Sequence, residues 1–337
     1  MTETSLPGSG APRGVLLMTY GSPDSPADVP RYLAAVRGGR AAEPELVTEF
    51  TRRYEVIGGS PLVARTIEQA AALEARLGGD WRVRAAMRFS EPSLEAALRG
   101  VVAEGVEEVV AIVLSPQYSP LLMGGYERDL RAAIAAIGDP APAVHVAGPW
   151  YREPGFVHAM ADRVREGLAR AGALGDAAAS TTAATRGHAA APTPVLLTAH
   201  SLPRRVAERE PGYLDQLEES ARLIAAAADL RDGQWTFCWQ SAGHEPGEWM
   251  RPDFADLMPT LRADGHDRVV VAPIQFLSDH LEVLYDVDVG AREQAESAGL
   301  VFARIRSLND APGLIEALAA AVRTTIESER PLDRSVA

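Results

Sequence analysis

Cysteine is almost absent from this sequence, since Cys238 is the only one among 337 residues. A single cysteine excludes a disulfide within the chain, and it excludes a zinc or iron–sulfur site built from four cysteines of one chain. Cys238 lies in the apolar run Trp235-Thr-Phe-Cys-Trp239. We therefore interpret it as a small residue of the buried core.

Positive charge and long hydrophobic runs are also scarce. The chain has 33 Lys and Arg against 46 Asp and Glu, a net charge of −13, which argues against binding to nucleic acid. No apolar run reaches the roughly 18 residues of a membrane-spanning helix. Residues 1–13 are rich in Ser, Gly and Pro and lack the apolar core of a signal peptide, so we predict a flexible tail and a cytoplasmic protein.

What the sequence does contain is a repeated alternation of apolar strands with amphipathic helices. A length of 337 residues is typical of two domains, at about 100–200 residues each. Helices are predicted at 155–171 and 312–327, among others. The predicted strands are 14–19, 82–87, 109–114 and 144–147 in the first half, and 195–199, 235–239, 268–273 and 301–305 in the second.

This alternation predicts an α/β fold with two doubly wound parallel-sheet domains that share a central cleft. We place the domains at residues 14–150 and 151–330. Residues 173–192 contain Ala, Thr and Gly without apolar periodicity. We interpret this stretch as a low-complexity insertion that is disordered or loosely packed on the surface.

A histidine stands at the end of the first strand of the second half. The apolar run from Val195 to Leu197 leads to His200, and Pro203 prevents the strand from continuing. Ligands of open parallel sheets bind outside the carboxyl ends of the strands, so His200 could act on a substrate there. The alternative is a hydrogen-bonded structural histidine, and a catalytic role therefore requires partners.

Two carboxylates could be those partners. The stretch 278–286 follows a strand and opens a helix, with Ser278 or Asp279 as N-cap and Glu282 at the spacing of a capping box. Glu282 and Asp286 are four residues apart and share one face of that helix. Taken alone, the pair is explained about as well without a function, with Glu282 as a capping residue and Asp286 as a solvated surface charge.

Together with His200, the two carboxylates could bind a divalent metal ion or accept protons from a substrate. His280 is a rival for the histidine position. Its spacing of two residues from Glu282 predicts another helix face, so we assign it a structural role.

Six ordered motifs connect the sequence with a known family. They are Leu17-Met-Thr-Tyr20-Gly-Ser-Pro23, Arg53-Tyr-Glu-Val-Ile-Gly-Gly-Ser60-Pro-Leu62, Ser115-Pro-Gln-Tyr-Ser119, Thr198-Ala-His200-Ser-Leu-Pro203, Trp239-Gln-Ser241 and Ser278-Asp-His-Leu-Glu282-Val-Leu-Tyr-Asp286. Over nearly its whole length the chain resembles the ferrochelatases, which insert ferrous iron into a porphyrin. The resemblance implies a flavodoxin-like, chelatase-like form of the predicted fold.

The resemblance also implies roles for individual residues. It implies that His200 accepts protons, that Glu282 is a metal ligand or proton relay, and that Asp286 feeds metal or drains protons. Arginine suits the porphyrin wall because a guanidinium pairs with a carboxylate through two parallel hydrogen bonds. The residues implied for that wall are Tyr20, which approaches the iron from the opposite face, and Arg37, Arg53, Tyr54, Ser60 and Tyr126.

The sequence departs from the family pattern at two places. Phe89 occupies a position where the family often has a histidine, so a metal role there is absent. A third acid on the metal-site helix would fall at Gly290, where only Asp288 or Glu293 could replace it.

The expected activity is insertion of Fe(II) into coproporphyrin III, because the match is to the Gram-positive type and no apolar membrane-binding lip is recognisable. The alternatives are a protoporphyrin IX ferrochelatase, a cobalt or nickel chelatase for another tetrapyrrole, and a non-catalytic haem carrier. Iron is expected as a substrate, without an organic cofactor or an iron–sulfur cluster. The expected partners are the porphyrin and, transiently, the next enzyme of haem biosynthesis.

Overall fold

The computed structural model describes residues 11–181, 192–243, 247–328 and 331–332. In the first half, the described residues form four strands, five α-helices and a short 3₁₀-helix, Pro26–Asp28. The strands are β1 (Arg13–Thr19), β2 (Trp81–Met87), β3 (Glu108–Val113) and β4 (Ala143–Val146). The helices are α1 (Val29–Val36), α2 (Pro44–Val56), α3 (Leu62–Leu77), α4 (Leu94–Ala103) and α5 (Pro120–Ile137).

The second half repeats the alternation within the described ranges. Its strands are β5 (Val195–His200), β6 (Trp235–Gln240), β7 (Arg268–Pro273) and β8 (Val301–Arg304). A π-helix (Glu282–Ala291) follows β7. The α-helices are α6 (Pro154–Thr181), α7 (Arg204–Ala207), α8 (Pro211–Ala227), α9 (Phe254–Ala263), α10 (Arg292–Ser297) and α11 (Pro312–Glu327).

The strands form two parallel sheets with the same topology. Their orders are β2-β1-β3-β4 and β6-β5-β7-β8, and every neighbouring pair is parallel. The run Val15-Leu-Leu-Met18 on β1 is fully buried, as continuous apolar strands are when helices cover both faces of a sheet. The predicted α/β class with two doubly wound parallel sheets is confirmed, and each predicted strand overlaps an observed one.

The topology places two pairs of loops where a ligand would bind. In each sheet the strand order reverses between the first and third strands of that half, and such switch points open a crevice at the carboxyl ends. The first sheet presents the loops after Thr19 and Val113 there. The second sheet presents the loops after His200 and Pro273.

One hydrophobic core connects the two sheets. A single cluster of buried residues contains Val15 and Val110 of the first sheet together with Val195 and Val270 of the second. Helices α3, α6, α8 and α11 contribute to the same cluster, and α11 contacts both α3 and α6. The domain boundaries at 14–150 and 151–330 stay a prediction, although the two sheets divide between those ranges.

The long helix α6 corrects one prediction. It continues to Thr181, well beyond the predicted end at residue 171, so the predicted insertion is wrong for residues 173–181. Alanine, which is frequent here, is the best helix former, and Arg268 of β7 donates a hydrogen bond to the carbonyl of Gly172 at 3.2 Å. Residues 182–191 of the predicted insertion lie outside the described residues.

The predicted flexible tail, residues 1–13, is wrong for its last residue. Arg13 belongs to β1, where it pairs with Trp81, so the strand begins within the predicted tail. Residues 1–10 of that tail lie outside the described residues. Within the described part of the chain, every helix is too short or too polar to cross a membrane.

Replacing Gly155 with valine is expected to lower the free energy of unfolding by about 1–3 kcal/mol. A Cβ at Gly155 would lie 2.6 Å from the carbonyl oxygen of Gly313, because α6 and α11 cross here without room for a side chain. Gly172→Val is the control, since Gly172 lies on the same helix with open space around its Cβ position. Urea unfolding of both variants measures the difference. Equal losses would show that the crossing tolerates a side chain.

Candidate metal-insertion site

His200 is held with one ring nitrogen free. Its backbone N–H donates to the side-chain oxygen of Gln275 at 2.8 Å, and its Nδ1 lies 2.6 Å from the carbonyl oxygen of Ser201. A carbonyl can only accept, so Nδ1 is assigned the proton and Nε2 carries the lone pair of the neutral ring. Nε2 of His200 lies 3.9 Å from Oε1 of Glu282, which confirms the predicted convergence of these two side chains.

The residues before Glu282 are used differently from the prediction. The Ser278 hydroxyl accepts a hydrogen bond from Gln69 at 2.8 Å. The Asp279 carboxylate accepts from Ser307 at 2.7 Å and from Asn309 at 3.0 Å. Because neither side chain caps the helix, which starts after Leu281 without a side-chain cap, the predicted capping box is wrong.

The helix itself is a π-helix, which the sequence analysis missed. Its hydrogen bonds run from residue i to i+5, so its turn is wider than that of an α-helix and residues four and five apart overlie each other. Glu282 and Asp286 still share one face in this geometry. π-helical turns occur frequently at functional sites, and this one carries the two predicted acids.

His280 also approaches the Glu282 carboxylate. Its Nε2 lies 3.6 Å from Oε2 of Glu282, while its Nδ1 lies 2.9 Å from the carbonyl oxygen of Ser278. The prediction that His280 faces away is wrong, because His280 precedes the helix and is not bound by helical spacing. Each oxygen of Glu282 therefore has an imidazole Nε2 beside it.

The charges of this cluster shift the acid–base properties of its members. Burial raises the pKa of Glu282, but the imidazoles of His200 and His280 outweigh burial and lower the pKa to about 2. Burial lowers the pKa of His280, but the Glu282 carboxylate, together with the Ser278 carbonyl and the charge of Asp286, outweighs burial, so the pKa lies above its ordinary value. At neutral pH, Glu282 is therefore an anion placed to stabilise a protonated imidazole.

Asp286 lies one turn further along and contacts the first half of the chain. Its Oδ1 lies 3.5 Å from a terminal guanidinium nitrogen of Arg53, and Nε of Arg53 donates to Glu49 at 2.8 Å. Burial raises the pKa of Asp286 and the charge of Glu282 raises it further, while the Ser241 hydroxyl and Arg53 act in the opposite direction. The acidic face of the π-helix thus continues from Glu282 to Asp286, where it meets an arginine.

The residues that could replace the missing acid at Gly290 lie elsewhere. Both carboxylate oxygens of Asp288 accept hydrogen bonds from Arg304, at 2.8 and 2.9 Å. Glu293 is exposed on α10. The described residues of 11–181, 192–243 and 247–328 contain no group of three or more His, Cys, Asp or Glu side chains that could hold a metal ion.

The wall predicted around Tyr20 is aromatic. Tyr20, at the carboxyl end of β1, is 44% exposed, and its ring packs edge-to-face against Phe89 at 5.0 Å and Tyr126 at 6.0 Å between centroids. Gly21 follows with φ +86°, and a Cβ there would lie 2.2 Å from Oγ of Ser90. This turn needs glycine both for its backbone conformation and for space.

Tyr32 also belongs to this wall, and the sequence analysis missed it. Its hydroxyl donates to the carbonyl of Gly21 at 3.1 Å. Burial raises the pKa of Tyr32, and the charges of Tyr54, Glu282, Tyr126 and Tyr20 raise it further. The available signal was the spacing of Val29, Tyr32 and Leu33, which places Tyr32 on the buried face of α1.

The remaining predicted wall residues differ in how near they lie to the histidine–carboxylate cluster. Tyr54 is buried with Leu281, and burial and the charge of Glu282 raise its pKa. The Ser60 hydroxyl accepts from the N–H of Leu62 at 3.3 Å. Arg37 is exposed at the end of α1, and its side chain makes no hydrogen bond or ion pair within the described ranges. No described contact joins Ser60 or Arg37 to the histidine–carboxylate cluster.

The arrangement supports two kinds of chemistry at one place. A neutral imidazole with a free Nε2 can take a proton, and the adjacent carboxylate stabilises the cation that forms. The same nitrogen and oxygen atoms are suitable ligands for a divalent transition-metal ion. Exchange of ligand protons for a metal ion requires both abilities.

These features are those of a metal chelatase. Among solved structures, the chain is similar to SirB from Bacillus subtilis with Fe3+, with a TM-score of 0.56 and 12% identity. The alignment covers 96% of this chain and all of that one. At this identity the likeness shows the fold alone, and it agrees with the two parallel sheets of this chain.

Sequence comparisons define the family. The ferrochelatase family model matches residues 12–326. The chain is 36% identical to a ferrochelatase of Deinococcus radiodurans, covering 92% of this chain and 95% of that one. It is 34% identical to a coproporphyrin III ferrochelatase of Geobacillus sp., covering 93% and 98%. The protein belongs to the ferrochelatase family and is a metal-chelatase enzyme of haem biosynthesis.

Proposed function

We propose that the protein inserts ferrous iron into coproporphyrin III. The observation that carries this choice is the exposed end of α1, where Arg37 and Arg40 are both exposed and the Arg37 side chain has no described partner. Coproporphyrin III has four propionates, whereas protoporphyrin IX has two propionates and two apolar vinyl groups. A relative at 34% identity is also a coproporphyrin III ferrochelatase.

The proposed reaction takes place between the two walls. His200 accepts pyrrole protons at Nε2, and Glu282 stabilises the imidazolium and passes protons or metal along the π-helix towards Asp286. Tyr20 contacts the opposite face of the macrocycle, and Tyr54, Ser60 and Tyr126 complete its wall. Arg53 lies 3.5 Å from Asp286. When the porphyrin binds, the Arg53 guanidinium pairs with a substrate carboxylate in place of Asp286.

A bent macrocycle exposes the lone pairs of its nitrogens to the incoming metal. A wall that fits the bent ring better than the flat one lowers the barrier, because only interactions stronger in the transition state accelerate the reaction. No organic cofactor is required by this scheme. The cytoplasmic location and the transient contact with the next enzyme of the pathway stay predictions.

The substrate is tested by anaerobic incubation with Fe(II) and each porphyrin, followed by absorbance. We expect kcat/KM to be about tenfold higher for coproporphyrin III, since two more exposed guanidinium–carboxylate pairs contribute about 0.5–1 kcal/mol each. Arg37→Met should reduce this preference, and Arg99→Met on α4, whose guanidinium pairs with Glu95, is the control.

Equal or higher kcat/KM with protoporphyrin IX would reject coproporphyrin III as the substrate. Parallel reactions with cobalt and nickel test the other chelatase activities. Tight haem binding without any insertion would indicate a carrier.

A further inference from the structure

Arg88 is a buried cation behind the aromatic wall. It follows β2 directly, and its side chain is 7% exposed. Its Nε donates to Oδ2 of Asp129 on α5 at 2.7 Å. A buried guanidinium is costly unless it is paired, so this contact fixes where the group can lie.

Three aromatic rings surround this guanidinium. Its central carbon lies 4.6 Å from the ring centre of Phe89, 4.9 Å from that of Tyr126 and 5.6 Å from that of Tyr20. A cation within about 6 Å of a ring centre is attracted to the ring, more strongly where water is excluded. Arg88 therefore contacts every ring of the group that includes Tyr20.

Helix α5 leaves space for the guanidinium at Gly125. A Cβ there would lie 2.5 Å from both terminal nitrogens of Arg88. Alanine is more favourable than glycine inside a helix, but at position 125 its methyl group would occupy the space of the guanidinium. The adjacent Gly124 has nothing within 4 Å of its Cβ position.

Tyr20 depends on these ring contacts for its orientation. Its backbone carbonyl accepts from the N–H of Phe89 at 3.0 Å, which fixes the main chain. Its hydroxyl has no hydrogen-bond partner in the described part of the chain, and nearly half of the side chain is exposed. No hydrogen bond within the described residues holds the ring, so its direction depends on Arg88 and the two flanking rings.

We propose that Arg88 is a positioning residue for the insertion reaction: its guanidinium, held by Asp129 and fitted over Gly125, orients the Tyr20 ring against the macrocycle. This inference rests on the proposed function, because Tyr20 must face a porphyrin. Arg88 itself needs no contact with substrate. Its effect on the reaction is exerted through Tyr20.

The test compares Gly125→Ala with Gly124→Ala. Gly125→Ala leaves Arg88 and Tyr20 chemically intact but displaces the guanidinium, and we expect kcat to fall about tenfold or more with a smaller rise in the KM for porphyrin. Gly124→Ala should keep both constants near those of the wild type. Arg88→Met should reproduce the loss, and Arg88→Lys should restore part of it, since lysine keeps the charge without the planar fork.

Two further measurements assign the cause. In the Arg88→Met background, Gly125→Ala should cost nothing more, as expected if both act through the same contact. NMR spectra of protein with labelled tyrosine should show a shifted Tyr20 ring in Gly125→Ala and an unchanged one in Gly124→Ala. The Tyr20 signal is identified by its absence from the spectrum of Tyr20→Phe. This measurement does not require an active enzyme.

The outcomes separate this inference from the proposed function. Absence of iron insertion by the wild type rejects the function. An active wild type with an unmoved Tyr20 signal and unchanged kcat in Gly125→Ala rejects the positioning role. The thermal unfolding of each variant is measured as well. If Arg88→Met fails to fold, Gly125→Ala and Arg88→Lys test the positioning role.

Discussion

Replacing His200 with alanine is expected to slow iron insertion by roughly 10²–10⁴-fold, the usual contribution of a positioned general base. The variant loses the free Nε2 that lies 3.9 Å from Glu282, while the aromatic wall around Tyr20 is unchanged. Porphyrin affinity should therefore stay within a few-fold of the wild type. Anaerobic single-turnover absorbance measures insertion, and fluorescence titration measures binding.

The control for this variant is His158→Ala, which removes an exposed histidine on α6. It should insert iron at the wild-type rate. Insertion at that rate by His200→Ala would remove His200 from the mechanism. A parallel loss of porphyrin binding and insertion would instead make His200 a binding residue.

Replacing Glu282 with glutamine is expected to slow insertion to a similar extent, roughly 10²–10⁴-fold. Glutamine keeps the shape of the side chain but removes the charge beside His200 and His280. Because the three groups act together, the double variant with His200→Ala should be little slower than either single variant. Glu296→Gln, at an exposed position on α10, is the control.

The same variant has a consequence for pH that can be measured without substrate. In the wild type, burial lowers the pKa of His280, and Glu282 is the largest of the effects that together outweigh burial. Without the carboxylate, burial is opposed by the Ser278 carbonyl and the charge of Asp286 alone, so the pKa of His280 should fall relative to the wild type. Histidine titration by NMR measures the direction. An unchanged or higher pKa in Glu282→Gln would contradict the close contact between these side chains.

The attraction within this cluster also has a defined pH range. The lowered pKa of Glu282 means that its stabilising charge is fully present above the ordinary glutamate value and is lost as the pH falls towards 2. The raised pKa of His280 means that its contribution is fully present below the ordinary histidine value and is lost as the pH rises through the raised one. Both contributions are complete together only in mildly acidic solution.

The sequence was sufficient to predict the secondary-structure elements that local residue patterns determine. Continuous apolar runs such as Val15 to Met18 predict buried parallel strands, and the strands end where polar residues and prolines begin. Because parallel strands share one carboxyl edge, the convergence of His200 with a loop about eighty residues away followed from topology. The resemblance supplied the identity of that partner loop.

The sequence was insufficient where tertiary contacts override local preference. Ser278 and Asp279 are good capping residues, but Gln69 on α3 and Asn309 before α11 bind them instead. That competition shifts the start of the helix, and with it the position of His280. Arg88 was missed for a related reason, since its partner Asp129 and the space over Gly125 belong to a helix distant in sequence.

The shared hydrophobic core limits how the two halves can move when a flat molecule binds. Val15 and Val270 belong to one cluster, so swinging the halves apart would hydrate apolar surface at about 25 cal/mol for each Å². Opening like a book is therefore expensive. We therefore expect a planar guest to enter edge-first, without separation of the two sheets.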